Sequence, residues 1–305
     1  MEKKKIVLWT SFQAYEEFRP QLVIEEQKGN IEIAAVMFLD EGVVKQVDGY
    51  EVIQIERLPQ MSFDYVLGFG DELADDMIKI LKTVGIERAK FLSARILKLP
   101  NFDFGLYWQG REAKVSIIAD NCWGGISYHS LDLPFCSPFI NLFVKKGDFA
   151  RLVCNLKEYM ELPLEYVGED VDGNKGNRYP VCRLGDVEIH CNHYANFEEA
   201  RAIWNARKAR MNWDNLFVKM LIETEADLEE FLKIPYRKIG FSKIASQEKD
   251  IIDCSDIVTS GYLQEQYRGR FWEYVNWQSR VDRVDLKQYE VMKLLLGRED
   301  FRRVK

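Results

Sequence analysis

SIIADNCWGGISYH, residues 116–129, reads as a buried strand that runs into a cluster of reactive groups. Val115, Ile117 and Ile118 lead into Ala119. The apolar run then breaks into Asp120, Asn121, Cys122, Trp123, Gly124 and Gly125, and His129 follows ten residues after Ala119. A short apolar run closed by a turn signal is the pattern of a strand buried on both faces, as in a parallel sheet. Ligands in open α/β sheets bind beyond the carboxyl ends of the strands. The stretch therefore predicts an α/β fold with a site at this strand end. Asp120, Asn121, Cys122 and Trp123 would supply its chemistry, and Gly124 and Gly125 would let backbone approach a ligand closely. The plainer reading of the same residues is a tight turn plugged by a buried tryptophan.

Upstream, apolar runs at 5–10, 31–39, 50–53, 63–68 and 89–93 alternate with helical patterns at 14–28 and 71–83. Gly29 stops the first helix and Gly85 lies past the second, as C-terminal caps do. Strands alternating with helices imply a parallel sheet with right-handed crossovers, a Rossmann-like half. Asp40 stands where a ribose-binding carboxylate would. The turn after the first strand, however, is Thr10-Ser11-Phe12-Gln13-Ala14, without glycine. The dinucleotide motif needs glycines for its tight turn and for close approach of pyrophosphate. Conventional NAD binding is therefore not expected, and the cofactor is left open. Gly68-Phe69-Gly70 offers either ligand room or a simple turn. The Pro- and Gly-bearing, aperiodic segment 99–105 sets a boundary: a Rossmann-like domain over 1–104 and a second, larger α/β domain of mixed sheet over 105–305.

In the second domain, strands are predicted at 139–144, 164–167, 179–184, 187–194, 216–223 and 236–243, and helices at 149–160, 227–232 and 286–296. GEDVDGNKGN at 168–177 reads as a polar surface loop whose acids lack calcium-loop spacing. Gly185-Asp186 is a hairpin turn signal. His190 and His193, three apart in one predicted strand, point to opposite faces. They would share a metal only if the strand ended before His193. Asn196 caps a helix to about Met211 that ends with Arg207, Lys208 and Arg210, the densest positive patch of the chain. Asn212-Trp213-Asp214-Asn215 then turns into a strand with Leu216, Val218, Met220 and Ile222 on one face. The stretch 246–283 is the least readable; Ile251-Ile252 and Ile257-Val258 are candidate short strands, and an aromatic run fills 271–277.

Composition removes several function classes. The 305 residues carry a net charge of −7, which argues against nucleic acid or an anionic membrane surface as partner. No apolar run reaches the roughly 20 residues of a membrane span, and the charged start MEKKK lacks the apolar core of a signal peptide. Six cysteines without a CxxC pair read as reduced thiols of a cytoplasmic protein. Assembly with further copies of the chain is left open.

Three motifs, SIIADNCWGG…YH with LPFCSPFINLFV (116–144), YPVCRLGDVEIHCNHY (179–194) and WNARKARMNWDNLFVKM (204–220), together resemble an uncharacterised bacterial family, a domain of unknown function. Its members are often labelled exopolysaccharide or capsular polysaccharide biosynthesis proteins. The resemblance covers roughly 105–245 and implies an α/β fold and work in cell-surface glycan assembly. The amino-terminal part looks more loosely like the Rossmann-like domains fused to some sugar-modifying acyltransferases.

The expectation is a transferase, glycosyl or acyl, acting on a nucleotide- or lipid-linked sugar, so that its partner is a sugar-containing or phosphorylated small molecule. In this reading Trp123 and Trp213 stack on a sugar, and Arg207 and Arg210 hold a phosphate. His129 or His190 takes a proton, and Asp120 orients that histidine. Asn121, Gly124, Gly125, Asn212, Asp214 and Asn215 line the substrate site. Cys122 is a nucleophile only if a base lies beside it. His129, His190, Arg207 and Arg210 are expected to converge with Asp120–Gly125 on one cleft. The alternatives are a non-catalytic glycan- or partner-binding scaffold and a metal-dependent hydrolase using Asp120, His129, His190 and His193.

Overall fold

The computed structural model describes residues 2–39, 45–99, 101–172, 176–253 and 290–299. Asp40, Ile257, Val258, the aromatic run 271–277 and the first part of the predicted helix 286–296 lie outside them. The chain divides into two compact units. One is Met1–Gln109 with Ser130–Asp132, and the other is Gly110–His129 with Leu133–Lys305.

In the first unit β1 (Lys4–Thr10), α1 (Phe12–Gln27) and β2 (Ile31–Phe38) form a parallel crossover. A small hairpin of β3 (Gln46–Val47) and β4 (Tyr50–Glu51) follows, and then β5 (Tyr65–Gly68), α2 (Ala74–Thr83) and β6 (Phe91–Ser93). The sheet order is β2-β1-β5-β6, every pair parallel. Residues Ile6–Thr10 of β1 are all buried, because strands lie on both sides of β1 and side chains cover both faces. Ser11 starts α1: its Oγ accepts the Ala14 N–H at 3.2 Å. Gly29 and Gly85 take the left-handed conformation, with φ of 77° and 78°. The Rossmann-like expectation thus holds at the level of the sheet.

Gly68 has a different reason from the ligand room considered above. A Cβ there would lie 2.4 Å from the Phe91 ring, so the glycine admits an aromatic side chain of the core. The segment around 104, read as aperiodic, begins a helix, α3 (Phe104–Ala113). Its start is pinned by Glu25, a buried carboxylate that accepts the Phe104 N–H at 2.9 Å and is further bound by Lys28 and Asn30.

The second unit contains β7 (Ser116–Ala119), α4 (Trp123–Ser130, whose last residue falls in the other unit), β8 (Phe143–Val144), α5 (Lys146–Cys154) and α6 (Leu156–Glu161). Then come β9 (Glu165–Val171), β10 (Arg178–Leu184), β11 (Val187–His190), α7 (Phe197–Lys208), β12 (Leu216–Ile222), α8 (Glu225–Lys233), β13 (Lys238–Ser242), β14 (Ile251–Asp253) and α9 (Val291–Leu295). The expected parallel and antiparallel strands form two ladders. β7, β12, β13 and β14 make a parallel sheet, β12 and β13 at its centre, and β8, β11, β10 and β9 an antiparallel one. A backbone bond from Val144 N–H to Asp120 C=O, 3.0 Å, joins the two at the end of β7.

Several bounds differ from the sequence reading. The predicted strand 139–144 shrinks to Phe143–Val144. The single helix 149–160 splits at Asn155, whose ψ of 32° interrupts it. The polar loop 168–177 is strand as far as Val171, because β10 supplies it with backbone partners that its composition does not announce. β11 stops at His190, and Tyr194 N–H turns back to Cys191 C=O at 3.1 Å. All seven residues of β12 are buried, so it has no solvent face and no alternation, as befits an inner strand of a covered parallel sheet.

Candidate active site at the end of the parallel sheet

Where β7 ends, the chain carries a buried ion pair. Lys219, in the middle of β12, directs its Nζ to Asp120 Oδ1 at 3.0 Å, and their side chains are 0% and 5% exposed. Taking two charges out of water costs several kcal/mol per ion, so such a pair needs its other hydrogen bonds satisfied. Lys219 Nζ also donates to Asn121 Oδ1 at 3.1 Å and lies 5.8 Å from the centre of the Phe241 ring. Asp120 Oδ2 accepts the Leu221 N–H at 2.8 Å. The carboxylate is thereby committed to β12 and does not orient a histidine.

The ion pair stiffens the turn that follows. Asn121 Oδ1 accepts the Trp123 N–H at 3.1 Å, and Cys122 C=O accepts the Ile126 N–H at 3.0 Å. Helix α4 therefore starts directly behind the cysteine. A thiol at the amino end of a helix faces partial positive charge, which favours the thiolate. The half-buried Cys122 Sγ lies 3.4 Å from His193 Nε2, within the reach of a thiol–imidazole contact. His193 stands in the turn after β11, which the Val144–Asp120 bond brings beside the end of β7. A thiol and an imidazole nitrogen are thus in contact at the carboxyl edge of a parallel sheet, the edge where α/β folds place their chemistry.

The other groups expected in the cleft take different places. Trp123 is fully buried, between Phe217 and Phe241 at ring distances of 6.3 and 6.0 Å. Its faces are packed and offer no platform for a sugar. Gly124 and Gly125 do not line a ligand path. They lie in α4, where a Cβ would come 3.2 Å from Ile117 and 2.9 Å from Ile140 respectively, so they let the helix sit close to its neighbours. His129 is exposed in the last turn of α4, where a cation suits the helix dipole.

Arg207 is buried: Nη1 donates to Tyr194 Oη at 2.8 Å and to Ile140 C=O at 3.3 Å, over the Phe135 ring. Its donors serve the fold, and burial pushes the Tyr194 hydroxyl up to about 12. Arg210 is exposed beyond the end of α7, so the two arginines form no clamp.

Asn212 and Asn215 hold the other end of the sheet. Both donate to Ala113 C=O, at 3.1 and 2.9 Å, and Asn212 N–H reaches Ser116 Oγ at 2.8 Å. Ser116 pairs with Leu216 at the start of the two strands, and Ala119 with Lys219 at the end of β7. Three residues of strand, about 10 Å, separate these ends. Trp213 and Asp214, both exposed, belong to the Asn212 end. The substrate residues expected from the sequence therefore lie at two places, with Asp120, Asn121 and Cys122 at one and Asn212–Asn215 at the other.

His190 forms a third place. Buried in β11, it stacks on Phe143 at 4.5 Å, and neither ring nitrogen has a hydrogen-bond partner among the described residues. Asp170 and Glu188 approach to 3.8 Å, and Tyr179 packs edge-on. Burial, then the charge of Lys145, holds its pKa below the usual 6.5, against the pull of Glu188 and Asp170. The fold prefers the neutral ring, so the unfolded chain binds the extra proton first and stability falls as the pH drops below about 6.5. Urea unfolding at pH 7 and pH 5.5 is expected to show this loss in the native chain and a smaller one in His190→Phe. Equal losses in both would assign it to other groups.

Two participants escape the sequence reading. Lys219 is the one charge in LFVKMLI, and a charge inside a run buried on both faces calls for a buried partner. His193, expected in a strand and as a metal ligand at most, has nothing local that announces its contact with Cys122.

Among the described residues no helix is long and apolar enough to cross a membrane. Residues 94–295 match the model of a domain of unknown function, DUF1919. An uncharacterized protein of Haemophilus influenzae is 32% identical over 170 residues, which are 54% of this chain and 78% of that protein. With its second unit covered almost throughout by that model, the chain belongs to the DUF1919 family.

Proposed function

We propose that the chain is a cytoplasmic transferase of bacterial surface-polysaccharide biosynthesis, and that it moves an acyl group onto a sugar hydroxyl through Cys122. The observation that carries this reading is the 3.4 Å contact of Cys122 Sγ with His193 Nε2 at the sheet's carboxyl edge. A thiol paired with imidazole suits acyl transfer, in which a thioester divides one difficult step into two. His193 takes the Sγ proton as sulfur attacks the carbonyl of a thioester or activated ester donor. The donor's leaving group departs with that proton, and Cys122 holds the acyl group. The sugar hydroxyl then gives its proton to His193 and attacks the thioester, and the sulfur leaves and regains the proton. The polysaccharide setting comes from the resemblance of the three motifs. The compartment follows from a chemistry that needs a reduced thiol.

The test uses p-nitrophenyl acetate as donor. The native protein is expected to release p-nitrophenolate in a burst and to carry one acetyl group on the peptide containing Cys122. Cys122→Ser is expected to lose both. A burst that survives in Cys122→Ser, or acetyl found only on other cysteines, would remove Cys122 from the reaction.

A further inference from the structure

Resting on that reading, the geometry points to Asn121 as the oxyanion donor of the acyl-transfer site, with Lys219 as the residue that orients it. Asn121 Oδ1 faces two donors, Lys219 Nζ and the Trp123 N–H, each at 3.1 Å. An ammonium and a peptide N–H can only donate, so the amide oxygen must be the atom that meets them. The flip of this amide is therefore set by chemistry. Its Nδ2 is turned away from Lys219 and carries two N–H groups without a partner among the described residues.

The position matters as much as the donor. Asn121 immediately precedes the thiol in the chain and is only partly buried. In a strand-to-helix turn, the peptide N–H that follows the nucleophile commonly serves an oxyanion. Here that N–H, of Trp123, is already given to Asn121 Oδ1. The turn has thus exchanged a backbone donor for the side-chain amide, and the amide's dipole is strengthened because a full positive charge holds its oxygen. Lys219 itself is sealed, with 0% exposed side chain and contacts to Asp120 and Asn121. It acts through Asn121 and is a positioning residue. Its ion pair with Asp120 keeps the ammonium in place without letting it reach a substrate.

The test compares two reactions of the same sulfur. Acylation by p-nitrophenyl acetate passes through a tetrahedral oxyanion; alkylation by iodoacetamide does not. Both rates are read on the plateau above the thiol's titration, so that a shifted thiol pKa drops out. Asn121→Asp keeps acceptors for Lys219 and the Trp123 N–H but has no donor, and Asn121→Ala removes the amide without adding charge. Both are expected to acylate about 10²–10³-fold more slowly, the effect of losing one oxyanion donor. Alkylation is expected to stay within about threefold, because the sulfur itself is untouched. Lys219→Arg, which keeps a positive donor, should retain more acylation than Lys219→Met at equal alkylation.

Acylation unchanged in both Asn121 variants would overturn the proposal while leaving Cys122 as the nucleophile. An equal fall in acylation and alkylation would also overturn it, by showing that Asn121 only shapes the turn. A native protein whose Cys122 alkylates but never acylates would overturn the acyl-transfer reading and the oxyanion role with it.

Discussion

Lys219→Met is expected to destabilise the protein by about 3–5 kcal/mol in urea unfolding at pH 7, the range for breaking a buried ion pair from one side. The methionine fills similar space, so little of this comes from a cavity. The cost is the carboxylate of Asp120, left 5% exposed with, among the described residues, only the Leu221 N–H to meet its charge. The control is the double variant Asp120→Asn with Lys219→Met. An asparagine side chain in place of Asp120 is neutral and still accepts the Leu221 N–H, so the double variant should recover more than half of the loss. The two effects are strongly non-additive because the residues touch. A loss below about 1 kcal/mol in Lys219→Met would mean that the pair behaves like a solvated surface bridge. Equal losses in the single and double variants would mean that the carboxylate's charge is not what destabilises.

His193→Ala is expected to lower acylation of Cys122 by about 10²–10⁴-fold at pH 7, the usual contribution of a positioned general base. The dependence on pH is the sharper readout. Without His193 the sulfur must lose its proton to water. The deficit should therefore shrink as the pH rises, while the native protein already reacts at lower pH. His193→Ala with the same pH profile as the native protein would place the base elsewhere. His129 is the contrasting position, exposed at the end of α4, and His129→Ala should leave the acylation rate within about twofold.

The candidate site was half readable. Residues 116–125 announced a strand ending in reactive groups, and Asp120, Asn121 and Cys122 are indeed at a strand end. The roles shifted because roles are set by neighbours. Trp123 and Arg207 look like ligand-binding residues by type, yet each is enclosed, the first by Phe217 and Phe241 and the second by Tyr194, Ile140 and Phe135. Asn212 and Asn215 look like site amides and instead brace the start of β7 and β12. No pattern of residue types separates an arginine that reaches out from one that is folded in.

By itself the sequence determined what depends on near neighbours. Apolar runs set the parallel strands, Asn196 sets a helix start through a side chain three residues from the N–H it accepts, and Gly29 and Gly85 set helix ends. These act over one or two turns of chain, within the range that periodicity and capping describe. Only the tertiary structure decided which groups meet. Lys219 reaches Asp120 across 99 residues, and His193 reaches Cys122 across 71. Both contacts exist because sheet pairing lays β12 beside β7 and ties β8, with β11 next to it, to the end of β7. Sheet register is a property of distant backbones brought together, so the chemistry it assembles is absent from any single stretch of the chain.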